Sequence, residues 1–504
     1  MLSDALRQPF CLPPRLPPRL DKHAIMAICF AMTLSIPFDN SYAGLPDKFY
    51  ARLNPTPVKT PALIRFNQEL AGELGIAPGP EKELAEVFSG NRLPGGAEPL
   101  AQAYAGHQFG GFSPQLGDGR ANLLGEVIDR AGERRDIQLK GSGPTPWSRM
   151  GDGRAWLGPV LREYVISEAM HAMGIPTSRA LAAVATGEPV FRQEGALPGA
   201  VLTRVAASHI RVGTFQYFSA RRDTGALQAL YDYTIDRHFP DVNDPAGLLN
   251  AVIDRQARLI AAWMGVGFIH GVMNTDNTAI SGETIDYGPC AFMDVFHPQT
   301  VFSSIDAHGR YAYDNQPNII VWNMAQFATS LVPLMPNQDQ AIEAFTAAVH
   351  AMPGKIAREW LSVFGRKIGI ADATGDDEPV IAGLLTIMAS SRADFTNSFR
   401  ALATGKARDQ FTDPSLFDGW ERGWRDRLES EDDPETHMRA ANPAIIPRNH
   451  RIEQMIHAAV DGDYAPFERL LDVLSRPFAD QPGAVDLTRP PAPAEVVQQT
   501  FCGT

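Results

Sequence analysis

The chain has 504 residues, 44% hydrophobic and 20% charged, which suits one large or two to three ordinary domains and disfavours disorder. Its 45 basic and 58 acidic side chains leave a net charge of −13, which argues against a general binder of nucleic acid or of anionic membranes. Four cysteines, Cys11, Cys29, Cys290 and Cys502, form no C-x-x-C pair, so neither a structural zinc site nor a disulfide scaffold is signalled, and a reducing, cytoplasmic compartment is expected.

Residues 1–36 differ from the rest. Arg7, Arg15, Arg19 and Lys22 precede an apolar run over 24–36 that is too short to span a bilayer. The run has the length of a signal-peptide core, but no small-x-small cleavage site follows before Pro37. Met26 and Met32 are alternative starts, and the expectation is an untranslated or dispensable extension rather than an export signal. From Phe38 a Pro-punctuated segment with aromatic anchors, FDNSYAGLPDKFYARLNPTPV, reads as a wrapping strap, and a helix is predicted over 63–74, closed by Gly75.

A glycine-rich stretch follows, YAGHQFGGFSPQLGDGR over 104–120, and then a strand over 121–128. Glycines at 106, 110, 111, 117 and 119 let backbone N–H groups approach an anion. The spacing is neither G-x-G-x-x-G nor a Walker A, and a hairpin turn at Asp118-Gly119 is the plain alternative. A second strand over 136–140 ends on Lys140, as the third strand of a protein kinase does. Gly-Asp-Gly-Arg-Ala occurs at 117–121 and again at 151–155, which suggests two places where phosphate or ribose oxygens are gripped. Pro159 opens a helix to about 173 that carries Glu163 and Glu168, either of which could pair with Lys140. Strands are predicted over 189–192 and 200–205. They lead to Arg204 and then Arg211, planar bidentate donors suited to a triphosphate.

The stretch that organises the rest is IHGVMNTDNTAISGETIDYGPCAFMD, 269–294, which follows a helix predicted over 248–268. Asn277 and Asp286, separated by a turn at Ser281-Gly282, can point two hard oxygens at one divalent ion beside phosphates. In the kinase loop H-R-D-x-x-x-x-N the base Asp stands two residues after the His, where this chain has Val272. A valine cannot accept a proton. Either the site is no phosphotransferase, or Asp276 has taken the base role. Helices are predicted beyond, over 319–334, 340–352, 355–364, 380–390, 395–403 and 451–459. Asn442-Pro-Ala-Ile-Ile-Pro-Arg-Asn-His450 reads as a rigid polar loop, and a Pro-rich tail begins near 480. The order of glycine-rich turn, strand Lys, helix Glu, metal Asn and metal Asp is that of protein kinases. The expected fold is therefore α+β and two-lobed, with a mixed N-terminal lobe over 37–207, a helical C-terminal lobe over 208–480 and a tail over 481–504.

At this point the chain resembles the selenoprotein O family, kinase-like protein AMP-transferases. The stretches YAGHQFGGFSPQLGDGRA, QLKGSGPTPWSRMGDGRAWLGPVLREYVISEAM, SHIRVGTFQ, GVMNTDNTAISGETIDYGPCAFMD and NPAIIPRNH carry the resemblance, over about 37–504. It implies ATP bound flipped relative to ordinary kinases, so that AMP passes to a protein Ser, Thr or Tyr hydroxyl. By motif match Asp276 is the implied base, and Asn277 and Asp286 hold Mg²⁺ or Mn²⁺. Lys140, held by Glu163, contacts phosphates with Arg204 and Arg211, and Gly117, Gly119, Arg120, Asp152 and Gly153 complete the nucleotide pocket. ATP is the expected donor with UTP as the alternative, and a monomer acting on proteins, apart from nucleic acid and membranes, is expected. A phosphotransferase and an inactive nucleotide-binding scaffold are the competing readings. Cys290 lies just after Asp286-Tyr-Gly-Pro and Cys502 ends the tail, so a Cys290–Cys502 disulfide across the site is weighed against two separate thiols.

Overall fold

A computed structural model describes residues 34–193 and 195–501. Most of the chain's first 36 residues and Cys502 lie outside the described residues, and with Cys502 the choice between a Cys290–Cys502 disulfide and two separate thiols. Leu34 and Ile36 are already packed, against Leu74, Ile76 and Leu84.

The organising unit is an antiparallel sheet. Its strands are β1 (Tyr50–Arg52), β2 (Ala62–Phe66), β3 (Leu100–Gln102), β6 (Ala121–Ile128), β7 (Arg134–Lys140), β9 (Arg179–Arg192) and β10 (Gly195–Ala206). Their order across the sheet is β1-β3-β6-β7-β10-β9-β2, with β8 (Ala155–Trp156) on β10. A separate hairpin is formed by β4 (Gly106–Gln108) and β5 (Gly111–Ser113). Side chains alternate across a strand, and the alternation assigns the work here. Ile137, Leu139, Val201 and Val205 enter one apolar layer with Leu70, Leu84 and Phe88 of the covering helices. The intervening Gln138, Lys140 and Arg204 face the other way, into the site.

That second face is crossed by the helix Leu157–Ala172, buried through most of its length and packed by Leu161, Tyr164 and Val165 against Ile452, Met455 and Phe467 of two late helices. Arg162 on this helix donates to Cys290 O at 3.2 Å and to Asn449 Oδ1 at 3.0 Å, and it also pairs with Glu453. The Asn442–His450 segment, read from sequence as a rigid polar loop, is buried along its whole length. Arg448 within it pairs with Asp294 and, at 2.8 Å, with Asp394. Asn442 grips Lys367 through both its amide atoms, at 2.7 and 2.8 Å.

The helical part is built on Pro245–Gly265, capped by Asp244, whose side chain accepts from Gly247 N, with proline at the first turn. It packs along the 30-residue helix Gln338–Lys367. Sequence periodicity divides that helix at Pro353. The structure runs through it, because Phe345, Val349, Met352 and Ile356 form one buried face whose packing outweighs the roughly 3 kcal/mol that an interior proline costs. The helix predicted over 63–74 is likewise corrected. Ala62–Phe66 is the edge strand β2 on β9, and only Gln68–Glu73 is helical, started by the Asn67 side chain accepting from Leu70 N. The strands predicted over 189–192 and 200–205 are the ends of the long β9–β10 hairpin.

The helix predicted over 248–268 stops at Gly265. After Gly267, β11 (Phe268–Ile269) pairs with β12 (Ala291–Phe292), and this two-rung ladder closes the loop that carries Asp276 and Asp286. The last described residues lie against the same region. Thr500 N donates to Phe302 O and Thr500 Oγ1 to Pro289 O, at 2.8 and 2.5 Å, while Ser304 N donates to Thr500 O at 3.0 Å. No helix among the described residues is long and apolar enough to cross a membrane.

Candidate active site

A cavity of about 500 Å³ opens between the sheet and the 270–290 loop. It is lined by seven basic side chains (Arg120, Lys140, Arg149, Arg154, Arg192, Arg204 and Arg211) against four acidic ones (Asp118, Asp152, Asp276 and Asp286). On a chain of net charge −13 this local excess of cations selects for an anion. Gly117, Gly119, Gly153 and Asn277 complete the set expected from sequence. Glu163 alone of that set stands behind the wall.

Asp286 is the hub. Its Oδ1 accepts from Lys140 Nζ at 2.8 Å and from Arg204 Nη1 at 2.7 Å, and its Oδ2 from Arg211 Nη1 at 3.1 Å. Burial pushes this carboxyl up, but the three cations hold it well below the usual carboxylate range. Its backbone is left-handed, φ 62°, a conformation that costs a non-glycine residue and that the three ion pairs secure. Lys140 Nζ is gripped on its other side by Glu163 Oε2 at 2.6 Å. Glu168, the other candidate, is taken by Arg179, whose Nε and Nη2 each donate to it at 2.9 Å. Arg204 is further fixed by Gln138 Oε1 at 2.6 Å, and Arg211 lies over the Tyr104 ring at 4.4 Å. Three cations on rigid elements, each oriented by a second partner, form a preset cationic cradle able to receive an anion.

The two Gly-Asp-Gly-Arg-Ala copies do different work. In the first, Asp118 is buried and accepts from Gln102 N at 3.0 Å and Gln138 Nε2 at 3.1 Å. Gly117 has φ 80° and packs so closely on the Trp147 indole that a Cβ would run into the ring. The turn considered at Asp118-Gly119 falls one residue later, at Gly119-Arg120, and joins no hairpin, because β5 before it pairs with β4 and β6 after it with β3 and β7. In the second copy Asp152 is exposed and accepts from Arg192 Nη1 at 2.8 Å. Burial pushes its carboxyl up, yet Arg192 and the Arg154 N–H hold it low. Arg120 O accepts from Gly141 N at 2.7 Å and Gly153 O from Gly143 N at 3.0 Å, so the copies flank the end of β7 just past Lys140.

Asp276 sits in the single turn Thr275–Asn277. Its Oδ2 accepts from Gln108 Nε2 at 3.0 Å, and its Oδ1 is buried with no hydrogen-bond partner among the described residues. Burial pushes this carboxyl up to about 6, against the pull of Gln108 and Arg211. A carboxylate near neutrality with one oxygen unengaged can take a proton from a hydroxyl. Val272, at the kinase base position, lines the cavity with hydrocarbon. His270 is structural: buried, stacked on Trp263 at 5.3 Å, its Nε2 2.9 Å from Ile285 O.

No group of three or more His, Cys, Asp or Glu among the described residues could hold a metal ion by itself. The donors present still fit a hard divalent cation that takes its other ligands from phosphate and water. Asn277 Nδ2 donates to Val272 O at 2.9 Å, which leaves its Oδ1 for a ligand, and Asp286 is ionised. Sequence reasoning passed over Gln108, Asp118, Trp147 and Arg149. Asp118 lies inside a motif whose glycines were selected, and Gln108 inside the glycine-rich stretch.

A family profile described as "Protein adenylyltransferase SelO" matches residues 32–475. The chain belongs to this family. It is 65% identical over 473 residues to the protein nucleotidyltransferase YdiU of Ruegeria pomeroyi, covering 94% of this chain and all of the relative. It is 58% identical over 478 residues to the protein nucleotidyltransferase YdiU of Jannaschia sp., with 93% and 99% covered, and 57% identical over 486 residues to that of Rhizobium meliloti, again with 93% and 99% covered. Profile and relatives agree on nucleotidyl transfer as the class of reaction of this SelO-family chain.

Proposed function

We propose that this SelO-family enzyme transfers AMP from ATP to a Ser, Thr or Tyr hydroxyl of a protein, within a two-lobed, kinase-like frame in which the nucleotide lies flipped. The observation that carries the reading is the pair formed by Val272 and Asp276: hydrocarbon where a kinase keeps its base, and a buried carboxylate with an unengaged oxygen four residues on. With the terminal phosphates against Lys140, Arg204 and Arg211, the α-phosphate faces Asp276. The acceptor oxygen then bonds to the α-phosphorus, the bond to the pyrophosphate oxygen breaks, and the hydroxyl proton passes to Asp276. Pyrophosphate leaves into the cationic cradle, which is where the departing charge develops. Asn277 and Asp286 would hold Mg²⁺ or Mn²⁺, which supplies further neutralisation of the phosphates when bound. UTP, with the same triphosphate, is the alternative donor. The N-terminal lobe of this reading is 37–207, the C-terminal lobe 208–480 and the tail 481–504.

Labelled nucleotide tests it. Label at the α-phosphate of ATP should appear on acceptor protein, and label at the γ-phosphate should not. Transfer of γ-label would replace the reading with phosphoryl transfer. A second expectation follows from how tightly the base is boxed in. A Cβ on Gly106 would stand 2.5 Å from Asp276 Oδ1 and 2.9 Å from its Cβ, so Gly106→Ala must displace the carboxylate. Turnover should fall on the order of 10²-fold, the scale of a displacement near 1 Å, with ATP affinity little changed. A wild-type rate in this variant would mean that Asp276 is not the group that takes the proton.

A further inference from the structure

The β4–β5 hairpin is fastened to the loop of Asp276. His107 N donates to Thr275 Oγ1 at 2.7 Å, Gln108 Nε2 to Asp276 Oδ2 at 3.0 Å, and Phe109 N to Asn274 Oδ1 at 3.2 Å. Three consecutive hairpin residues thus ride on three residues of the loop, so whatever rests on the hairpin is held in register with the base. The register pairs Gln108 with Gly111 and leaves Phe109 and Gly110 as the turn, at φ 51° and 84°. Both positions favour Gly or Asn. A phenylalanine in the left-handed region is strained, and here the residue stays 38% exposed with its ring edge-on to Tyr311 at 5.2 Å. Phe109 nevertheless lines the cavity, as does Ile305 across the mouth, which is 60% exposed.

Below the turn stands Arg310. Its guanidinium lies over the Trp322 ring at 4.9 Å, and a Cβ on Gly110 would come within 3.8 Å of it. Lys140, Arg204 and Arg211 all hold carboxylates, whereas no carboxylate among the described residues is in ion-pair contact with Arg310. Asp306, the acid nearest in sequence, spends its two oxygens on the backbone N–H groups of Arg310 and Tyr311, at 2.9 and 2.7 Å. Arg310 is absent from the cavity lining, so it stands outside the polyphosphate cradle, on the rim.

We propose that Phe109, Ile305 and Arg310 form the docking rim for the acceptor polypeptide, selecting a hydroxyl flanked by an apolar side chain and a carboxylate. The inference rests on the reading above only in requiring that the acceptor be a polypeptide hydroxyl. The exposed Phe109 and Ile305 bury an apolar neighbour of the target residue. The Arg310 guanidinium, over the Trp322 ring and without a carboxylate partner among the described residues, takes the carboxylate. The hairpin's bonds to residues 274–276 then set the hydroxyl against Asp276.

The test uses serine peptides in matched pairs with the full chain, ATP and Mg²⁺. One pair differs only by Asp or Lys beside the serine, the other only by Leu or Ser. The wild-type protein should favour Asp over Lys and Leu over Ser in kcat/KM, each by about tenfold or more, the scale of one well-made contact. Arg310→Glu should reverse the first preference and Arg310→Gln should erase it. Phe109→Gly, which suits the turn's φ, should flatten the second preference. Each ratio is taken within one protein, so a general loss of activity cancels. Equal use of both members of each pair by the wild-type protein would overturn the proposal, as would ratios unchanged in the variants. The product mass reads the chemistry separately: phosphate in place of AMP would overturn the transfer reading and leave the docking ratios interpretable.

Discussion

Asp276→Asn is expected to lower AMP transfer by about 10²–10⁴-fold, the usual contribution of a positioned base, while ATP binds nearly as in the wild type. The substitution keeps size and shape, so the turn Thr275–Asn277 and the Gln108 contact are preserved in outline. What is lost is the acceptor for the hydroxyl proton. Asp276 touches no cation of the cradle through its side chain; Arg211 reaches only its backbone carbonyl, at 2.7 Å. Nucleotide affinity, followed by calorimetry alongside the rate, should therefore separate from turnover. A variant that transfers AMP at the wild-type rate would remove Asp276 from the base role.

Asp286→Ala should have a larger and different effect. Transfer should fall below detection, more than about 10³-fold, and ATP binding should lose its dependence on divalent metal. Removing this carboxylate takes away one hard oxygen ligand, and it also leaves Lys140, Arg204 and Arg211 without their shared counter-ion. Stripping one partner from a buried ion cluster costs several kcal/mol in general, about 3–5 for a fully buried pair. Here the cost is smaller because the cluster borders the open cavity. A lower melting temperature that recovers with added polyphosphate is expected, since the anion replaces the lost charge. ATP titrations with and without Mg²⁺ decide the point. A variant whose affinity still responds to Mg²⁺ as the wild type does would take Asp286 out of the metal site.

The elements that carry charge were the legible ones. Lys140 could be placed because a two-residue alternation ends on it, and Asp286 because an Asp-Tyr-Gly follows an Asn at kinase-like distance. Either of two glutamates could have met Lys140 from the sequence. Glu163 wins because Glu168 is occupied by Arg179, a fact set by the β9 register and invisible in local pattern. Tertiary packing likewise decided the errors. Leu63, Ile64 and Phe66 read as one face of a helix until β9 offers them an edge to pair with. Pro353 reads as a break until the buried face of a 30-residue helix holds it through that point. Helices such as Thr224–His238 and Pro414–Leu428 were missed because their sequences mix polar and apolar residues with few strong breaks. Gln108 meets Asp276 across 168 residues of sequence, and Arg310 is covered by the distant Gly110 turn, so spacing could not single them out.

Thr500 is hydrogen-bonded to Pro289, Phe302 and Ser304, in the segments next to Asp286 and Ile305 of the cavity lining. One threonine thus staples two segments that flank the candidate site. A proteolytic nick just before Thr500 would take the donors from Pro289 O and Phe302 O and the acceptor from Ser304 N together. Both flanks would slacken, although no residue that lines the cavity had been touched.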